Sequence, residues 1–423
     1  MNYFKNLYLT TFRIIITKLP FIPPKRSDKQ IKVTRINKLP PIRTNFMNID
    51  IIGAGIGGLT TAIALEQKGI KTRIFEQAEQ IKEVGAGIIL ANNAMQVYDK
   101  LGLRKIIEEN GNPISSMNIT KSNLKPLSKI DLSYFEQKHN TKNIAIHRGK
   151  LQKILIDKLK TTEINLNNKL TSIVKSENGY ELNFENGKQI QSSTVVGADG
   201  LNSVVRQKLF PNNSIRNANQ ICWRGVTEYE LPINFRNELN EAWGKAERFG
   251  FVQIAENKVY WYALKSFKKN ANEFSINNIE QYFGDYNLVI KDIIKSTKKE
   301  HINTAEISDL KPTDIWFKDN VCLIGDSAHA TTPNMGQGAC QAIEDAFVLS
   351  ECLHKYEITK AFSEYQKLRL PKAHQGVKAS WLVGKMAHLK NPILIGLRNQ
   401  MLRLTPTSVN RKQNELIFQL AEI

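Results

Sequence analysis

Short apolar runs in this chain end repeatedly on glycine or on an acid. Asn48 to Ile52 predicts a buried strand, and Gly53-Ala54-Gly55-Ile56-Gly57-Gly58 follows it at once. Apolar positions at helical spacing then extend from about Ile56 to Lys68, with Gly69 as the stop. Lys71 to Phe75 reads as a second strand, closed by Glu76. Strand, helix and strand in that order make a βαβ opening, which implies a parallel sheet. Gly85-Ala86-Gly87 predicts a flexible loop, Ala94 to Leu101 a helix closed by Gly102, and Lys150 to Leu159 a helix behind His147-Arg148-Gly149. Between Leu166 and Ile190 the pattern alternates, with Asn178-Gly179 and Asn186-Gly187 as turns, so two or three antiparallel strands are expected there.

Thr194 to Gly197 returns to a buried strand, ending in Ala198-Asp199-Gly200. A different unit follows, with aromatic-rich strands at Ile221 to Tyr229 and Lys258 to Leu264 and one helix at Ile276 to Lys295. Asn320 to Ile324 is again a buried strand, ending in Gly325-Asp326. Gly336-Gln337-Gly338 opens a long helix to about Leu353. The remainder reads as helical, with Pro371, Pro392 and Pro406 expected to separate its helices.

Composition alone changes this picture little. The chain has 423 residues, 41% hydrophobic and 23% charged, which excludes a disordered chain, a collagen or a polytopic membrane protein. Charge changes it more. Of the formal net +19, residues 1–46 supply ten bases and one acid, interrupted by Pro20, Pro23, Pro24, Pro40 and Pro41. That segment reads as a basic, disordered extension with Met47 as the natural start; a targeting arm or one making weak contact with a membrane surface is the other reading. Its apolar stretch, Leu7 to Ile16, is broken by Arg13 and falls short of the roughly 20 residues of a membrane span. A nucleic-acid partner would call for a basic helix or aromatic–basic interleaving in the folded part, and neither stands out, so the remaining charge is assigned to attraction of anionic small molecules. Cys222, Cys322, Cys340 and Cys352 form no C-x-x-C pair, so they are expected to be reduced, buried thiols of a cytoplasmic protein, with no metal site.

Three motifs carry candidate chemistry. The first is Gly53-x-Gly55-x-x-Gly58 with Glu76. Gly53 permits the turn, Gly55 admits a pyrophosphate to the backbone, and Gly58 lets the helix pack close to the sheet. The helix N-terminus then offers free N–H groups to the phosphates, and Glu76 suits ribose hydroxyls. The second motif is Gly325-Asp326, with Pro333 and Gly336-Gln337-Gly338 behind it, where a strand-end carboxylate suits a polyol and a second helix start suits a second anionic group. Two such sites imply a long ligand with two polar regions. A flavin dinucleotide fits, whereas NAD alone leaves the second site unexplained. The third motif is Val196-Gly197-Ala198-Asp199-Gly200, an acid and glycine turn that gains meaning from the other two.

In this order and spacing the motifs resemble the group A flavoprotein monooxygenases, the family of p-hydroxybenzoate hydroxylase, over about Asn48 to Pro406. Trp223-Arg224-Gly225 and the run from Gly336 to Asp345 look closest to the urate hydroxylase, salicylate hydroxylase and zeaxanthin epoxidase members. The resemblance implies an α/β fold: a Rossmann-like FAD-binding domain of the glutathione reductase type (47–215 and 301–355), interleaved with a mixed β-sheet substrate domain (216–300) and followed by C-terminal helices (356–423). It implies FAD as cofactor, held by Gly53, Gly55, Gly57, Gly58, Glu76, Gly87, Arg148, Asp199, Gly200, Gly325, Asp326, Gly336 and Gly338. It further implies NAD(P)H and O2 as co-substrates, and oxygen transfer to a small aromatic or N-heteroaromatic substrate through a flavin C4a-hydroperoxide. Pro333, Gly336, Gln337 and Gly338 would then border the reacting edge, and Arg224 would meet the substrate. An epoxidase or hydroxylase of an isoprenoid or polyketide, and a non-oxygenating FAD reductase, remain open, as does a monomer or a homodimer.

Overall fold

The computed structural model describes residues 48–81, 86–210 and 214–423. Met47 with the segment before it, and Gly85, lie outside the described residues.

The βαβ opening forms as the apolar runs require. Asn48–Ile52 lies at the middle of a six-stranded sheet, with Lys71–Phe75 and then Glu163–Asn165 on one side. On its other side come Val195–Gly197, Val321–Leu323 and Phe317–Lys318. All pairings are parallel except that of the edge strand Phe317–Lys318. Both faces of the central strands are covered, which is why they read as apolar runs rather than as alternation. The helix Ile56–Gln67 ends at Gly69, whose φ of +73° lets the chain turn back, with the Ile70 amide donating to Leu65 O at 3.0 Å. The helix Gly338–Lys355 packs alongside Ile56–Gln67.

Leu170–Ser176, Gly179–Phe184 and Gln189–Ser192 form the expected antiparallel meander. A second large sheet has seven strands, in the order Ile302–Leu310, Ile215–Glu228, Lys258–Ser266, Glu247–Ala255, Glu238–Trp243, Ser116–Lys121 and Pro126–Asp131. Its two faces differ sharply. One packs Trp223, Phe249, Phe251 and Trp261 against the helix Leu288–Lys295 as a separate aromatic core. The other turns Arg224, Tyr260, Tyr262 and Arg248 toward the parallel-sheet half.

The structure departs from the sequence reading at four places. Residues 116–131, expected with the FAD-binding segment 47–215, pair into the seven-stranded sheet, and so does Ile302–Leu310, expected with 301–355. Gly87–Leu90, read as part of a loop, is a strand paired with Asn143–His147. The single helix expected at Ile276 to Lys295 is broken. It stops after Tyr282 and restarts at Leu288, where the Asn287 side chain accepts from the Val289 amide at 3.0 Å. Pro371 separates nothing, because it lies inside the 30-residue helix Ile358–Ala387. That helix buries Tyr365, Arg369, Ala373 and Val377 around the proline, and packing on this scale offsets one missing backbone hydrogen bond.

Candidate active site

The parallel sheet brings the three motifs together. Ile52 lies in register with Gly197, and Gly197 with Leu323, so the strand ends that precede all three turns sit side by side. Close contacts then lock the turns. Gly53 has φ +106°, and a Cβ there would meet Ala198 O at 2.6 Å, while one at Gly58 would meet Gly53 O at 2.0 Å. A Cβ at Gly57 would press on Ala342 at 3.3 Å, and one at Gly325 would reach the same Ala342 at 2.9 Å. Ser327 Oγ donates to Gly197 O at 2.5 Å and Arg206 Nη1 donates to Ser327 O at 3.0 Å, tying the second motif to the third.

Gly55, Gly200 and Gly336 behave differently. A Cβ at any of them would meet nothing within 4 Å, so at these three points the backbone borders open space instead of protein. Gly55 is the N-cap of Ile56–Gln67, and the amides of that helix's first turn face the same way. Glu76 is oriented beside it, accepting from the Ala54 amide at 2.7 Å and the Ala78 amide at 2.9 Å, which leaves lone pairs on both oxygens. Gln152, from the helix Arg148–Lys158, donates to Ala54 O at 2.9 Å and steadies the turn.

Asp326 begins the short helix after Gly325. Its side chain is reachable by solvent, yet protein surrounds most of it, so burial raises its pKa against the opposing fields of His329 and Arg148. No protein donor is found for its carboxylate among the described residues. Asp199 is similar: burial raises its pKa, the Val205 amide donates to Oδ2 at 3.2 Å, and the buried Oδ1 has no partner. Arg148 is exposed, and its charge reaches both Asp326 and Tyr260, as does that of Arg224 at Tyr260. Gly87 abuts Tyr260, where an added Cβ would come within 2.5 Å of the ring. Arg148, Asp326, Tyr260 and Arg224 therefore border one region between the two large sheets.

The turn Pro333–Met335 and Gly336 lead into the helix Gly338–Lys355 beside Asp326. Pro333 and Gly336 are exposed, and Gly338 lies 3.8 Å from Asp326 Oδ1 as measured from a Cβ placed on it. The Gln337 side chain points away: it is buried and accepts from Asn93 and Gln341 at 3.4 and 3.2 Å, so this residue offers the region only its main chain. Arg224 is half-buried, with Nε 3.4 Å from Cys222 Sγ.

The sequence reading missed a polar cluster on the sheet face. Arg248 is fully buried and donates to Glu241 Oε1 at 3.2 Å and to Asn334 Oδ1 in the Pro333–Met335 turn. Tyr262 donates to Glu241 Oε2 at 2.5 Å, and Trp243 Nε1 donates to Glu241 Oε1 at 2.5 Å. Arg248 Nε is buried without a partner. The available signal was alternation: in Glu247–Ala255 the aromatic Phe249 and Phe251 take one face, which leaves Arg248 on the other. A second missed cluster lies behind Gly325. Asp345 accepts from the Gly325 amide at 2.9 Å, lies 2.5 Å from His329 Nε2, and accepts from Arg369 Nε at 2.7 Å.

This arrangement fits FAD. It has two helix starts with open glycines, an oriented acid at the end of the second strand, and two carboxylates with unused bonding capacity between them. The model of the FAD binding domain family matches residues 47–380. The aurachin C monooxygenase/isomerase of Stigmatella aurantiaca is 33% identical over 361 residues, covering 85% of this chain and 94% of that protein. The 2-heptyl-3-hydroxy-4(1H)-quinolone synthase of Pseudomonas aeruginosa is 29% identical, covering 88% and 98%. The Klebsiella pneumoniae HpxO structure complexed with FAD and uric acid shares the fold, with a TM-score of 0.81 at 23% identity over 89% of this chain and 98% of that one. The chain belongs to the FAD binding domain family, as a group A flavin-dependent monooxygenase. No helix among the described residues is long and apolar enough to cross a membrane.

Proposed function

We propose that the enzyme hydroxylates a bicyclic N-heteroaromatic compound of the quinolone class, consuming one O2 and one NAD(P)H per product and releasing water. FAD supplies the oxygen-activating chemistry when bound. Gly53 and Gly55 with the first turn of Ile56–Gln67 would take its pyrophosphate, Glu76 the adenosine ribose, Arg148 a phosphate charge, and Asp326 the ribityl hydroxyls. Asp199 Oδ1, buried without a protein partner, would complement a further hydroxyl or a water. The amides from Gly336 to Gly338, at a helix start, would favour negative charge on a ring system bound there, and Pro333 would stiffen the turn beside it.

The observation that carries the substrate reading is the Glu241–Arg248–Tyr262 cluster, bonded through Asn334 to the turn that borders the flavin region. Glu241 and Tyr262, partly exposed and held by the buried Arg248, stand beside Tyr260, whose ring centroid is 5.9 Å from that of Tyr262; with Arg224 on the same sheet face they suit a flat ring with a carbonyl and an N–H, and suit a wholly apolar isoprenoid poorly. A relative whose name carries such chemistry, the 2-heptyl-3-hydroxy-4(1H)-quinolone synthase, supports the same class. The four cysteines, free and buried, support a cytoplasmic setting. The test is substrate-stimulated NAD(P)H oxidation across 4-quinolones, urate, salicylate and an isoprenoid, with O2 uptake and product followed together. Coupled hydroxylation of a 4-quinolone is expected. Coupled turnover confined to urate, salicylate or the isoprenoid would remove the proposed class, and NAD(P)H oxidation without oxygenated product would make the protein a reductase.

A further inference from the structure

The helix Pro392–Leu404 is oriented contrary to a usual surface helix. Arg398, on one side, is buried, lies 5.1 Å from the Trp243 ring centroid, and donates to Met386 O and Ala387 O at 3.2 and 3.1 Å. The opposite side carries Ile393, Leu397 and Leu404, exposed to 74%, 53% and 71%. At 3.6 residues per turn these three fall within about 40° of one another, so they form one outward apolar stripe, where such residues ordinarily face the core.

The charge around the stripe is equally one-sided. From Tyr365 to Asn414 the sequence has ten Lys or Arg and no Asp or Glu; of the ten, Arg369 and Lys372 are taken up by Glu344 and Asp345, and Arg398 is buried. The chain beyond residue 46 carries a net +10, so this stretch accounts for its whole excess, which the sequence reading had left spread over the folded part. Lys390 and Arg403 bracket the stripe and are exposed. Arg411 and Lys412 follow, exposed, in the next helix, Thr407–Phe418, with Leu416 48% exposed.

We propose that this face docks the enzyme onto an anionic lipid bilayer, lying on the surface without crossing it. The apolar stripe would enter the boundary of the acyl chains while the flanking lysine and arginine heads remain among the phosphates. A second copy of the chain is a poor occupant, because a symmetric interface would set the same base-rich stretch against itself. Nucleic acid has no use for the apolar stripe. The inference is independent of the substrate, since docking is read without turnover.

The test uses the full chain loaded with FAD and vesicles of equal parts phosphatidylglycerol and phosphatidylcholine. Co-sedimentation should show binding that weakens at least about tenfold between about 0.05 M and about 0.5 M NaCl, and by a similar factor on pure phosphatidylcholine. The triple variant Ile393→Gln, Leu397→Gln, Leu404→Gln changes only exposed positions to a good helix former and should keep its flavin absorbance. It should bind the anionic vesicles at least about tenfold more weakly than the parent. The proposal is overturned if the parent ignores anionic vesicles, or if the triple variant binds like the parent, which would place the contact elsewhere on the chain. It is also overturned if the parent is a dimer that the triple variant makes monomeric, which would make the stripe an interface between copies.

Discussion

Asp326 and Asp345 sit on opposite sides of the same turn, and their surroundings could hardly differ more. Asp345 is fully buried and completely engaged. Burial pushes its pKa up, but His329, Arg369 and the Gly325 amide outweigh it and hold the carboxyl well below its ordinary range. Asp326 is accessible and has no donor, and for it burial wins, raising its pKa. Asp345 spends all its bonding capacity on the fold, and Asp326 keeps its own for a ligand. Asp199, with one buried oxygen unpartnered, falls on the side of Asp326. The buried, unpartnered oxygen of Asp199 is costly in the empty protein, and its natural complement, like that of the accessible Asp326, is a bound group that supplies hydroxyl donors.

Removing Asp345 should have the largest effect. Asp345→Ala leaves Arg369 and His329 buried without their shared partner, at a cost of about 3–5 kcal/mol. Low soluble yield and a lowered denaturation midpoint would show it; a variant as stable as the parent would mean the cluster does not hold the turn. Asp326→Ala is expected to act oppositely, raising the Kd for FAD at least about tenfold (about 1.4 kcal/mol) with the flavin-free protein melting no lower than the parent. Calorimetric titration checks the first part and a thermal melt the second.

The pH dependences should also diverge. The folded pKa of Asp345 is depressed, so its contribution to stability is complete above the unfolded carboxylate value of about 3.9 and is lost as pH falls below it. The folded pKa of Asp326 is raised, so its carboxylate becomes protonated at a pH above that value, while the fold still stands. FAD affinity is therefore expected to fall on acidification before stability does, and coincident losses would erase the distinction. The smallest effect should come from the substrate side. Arg224→Ala is expected to raise KM several-fold, by about 1 kcal/mol, with flavin content unchanged; a variant that loses flavin instead would place Arg224 at the cofactor.

The flavin half was legible in the sequence for a physical reason. Parallel strands covered on both faces must be apolar throughout, and the turns after them must be glycine where a backbone oxygen lies 2–3 Å from the missing Cβ, as at Gly53 and Gly58. The substrate-side sheet breaks the usual rule. In Ser116–Lys121 the buried positions are Ser116, Asn118 and Thr120, and Asn118 Nδ2 donates to Glu238 Oε2 at 2.7 Å across the strand pair. Such a strand reads as a polar loop. Arg248 and Glu241 are charges at inward positions, and the Asn334 that joins them to the flavin turn is distant in the chain, so only the folded chain brings the three together. Pro371 misled for the complementary reason: a local breaker lost to long-range packing.

The account turns on Asp326 being reserved for the cofactor, and FAD titration of the flavin-free protein tests that most directly. Parent and Asp326→Ala, both folded in thermal melts, should differ at least about tenfold in Kd, with the parent tighter and its affinity falling more steeply on acidification than that of the variant, which keeps Asp199. Equal affinities with equal pH profiles would contradict the assignment and place the ribityl chain elsewhere.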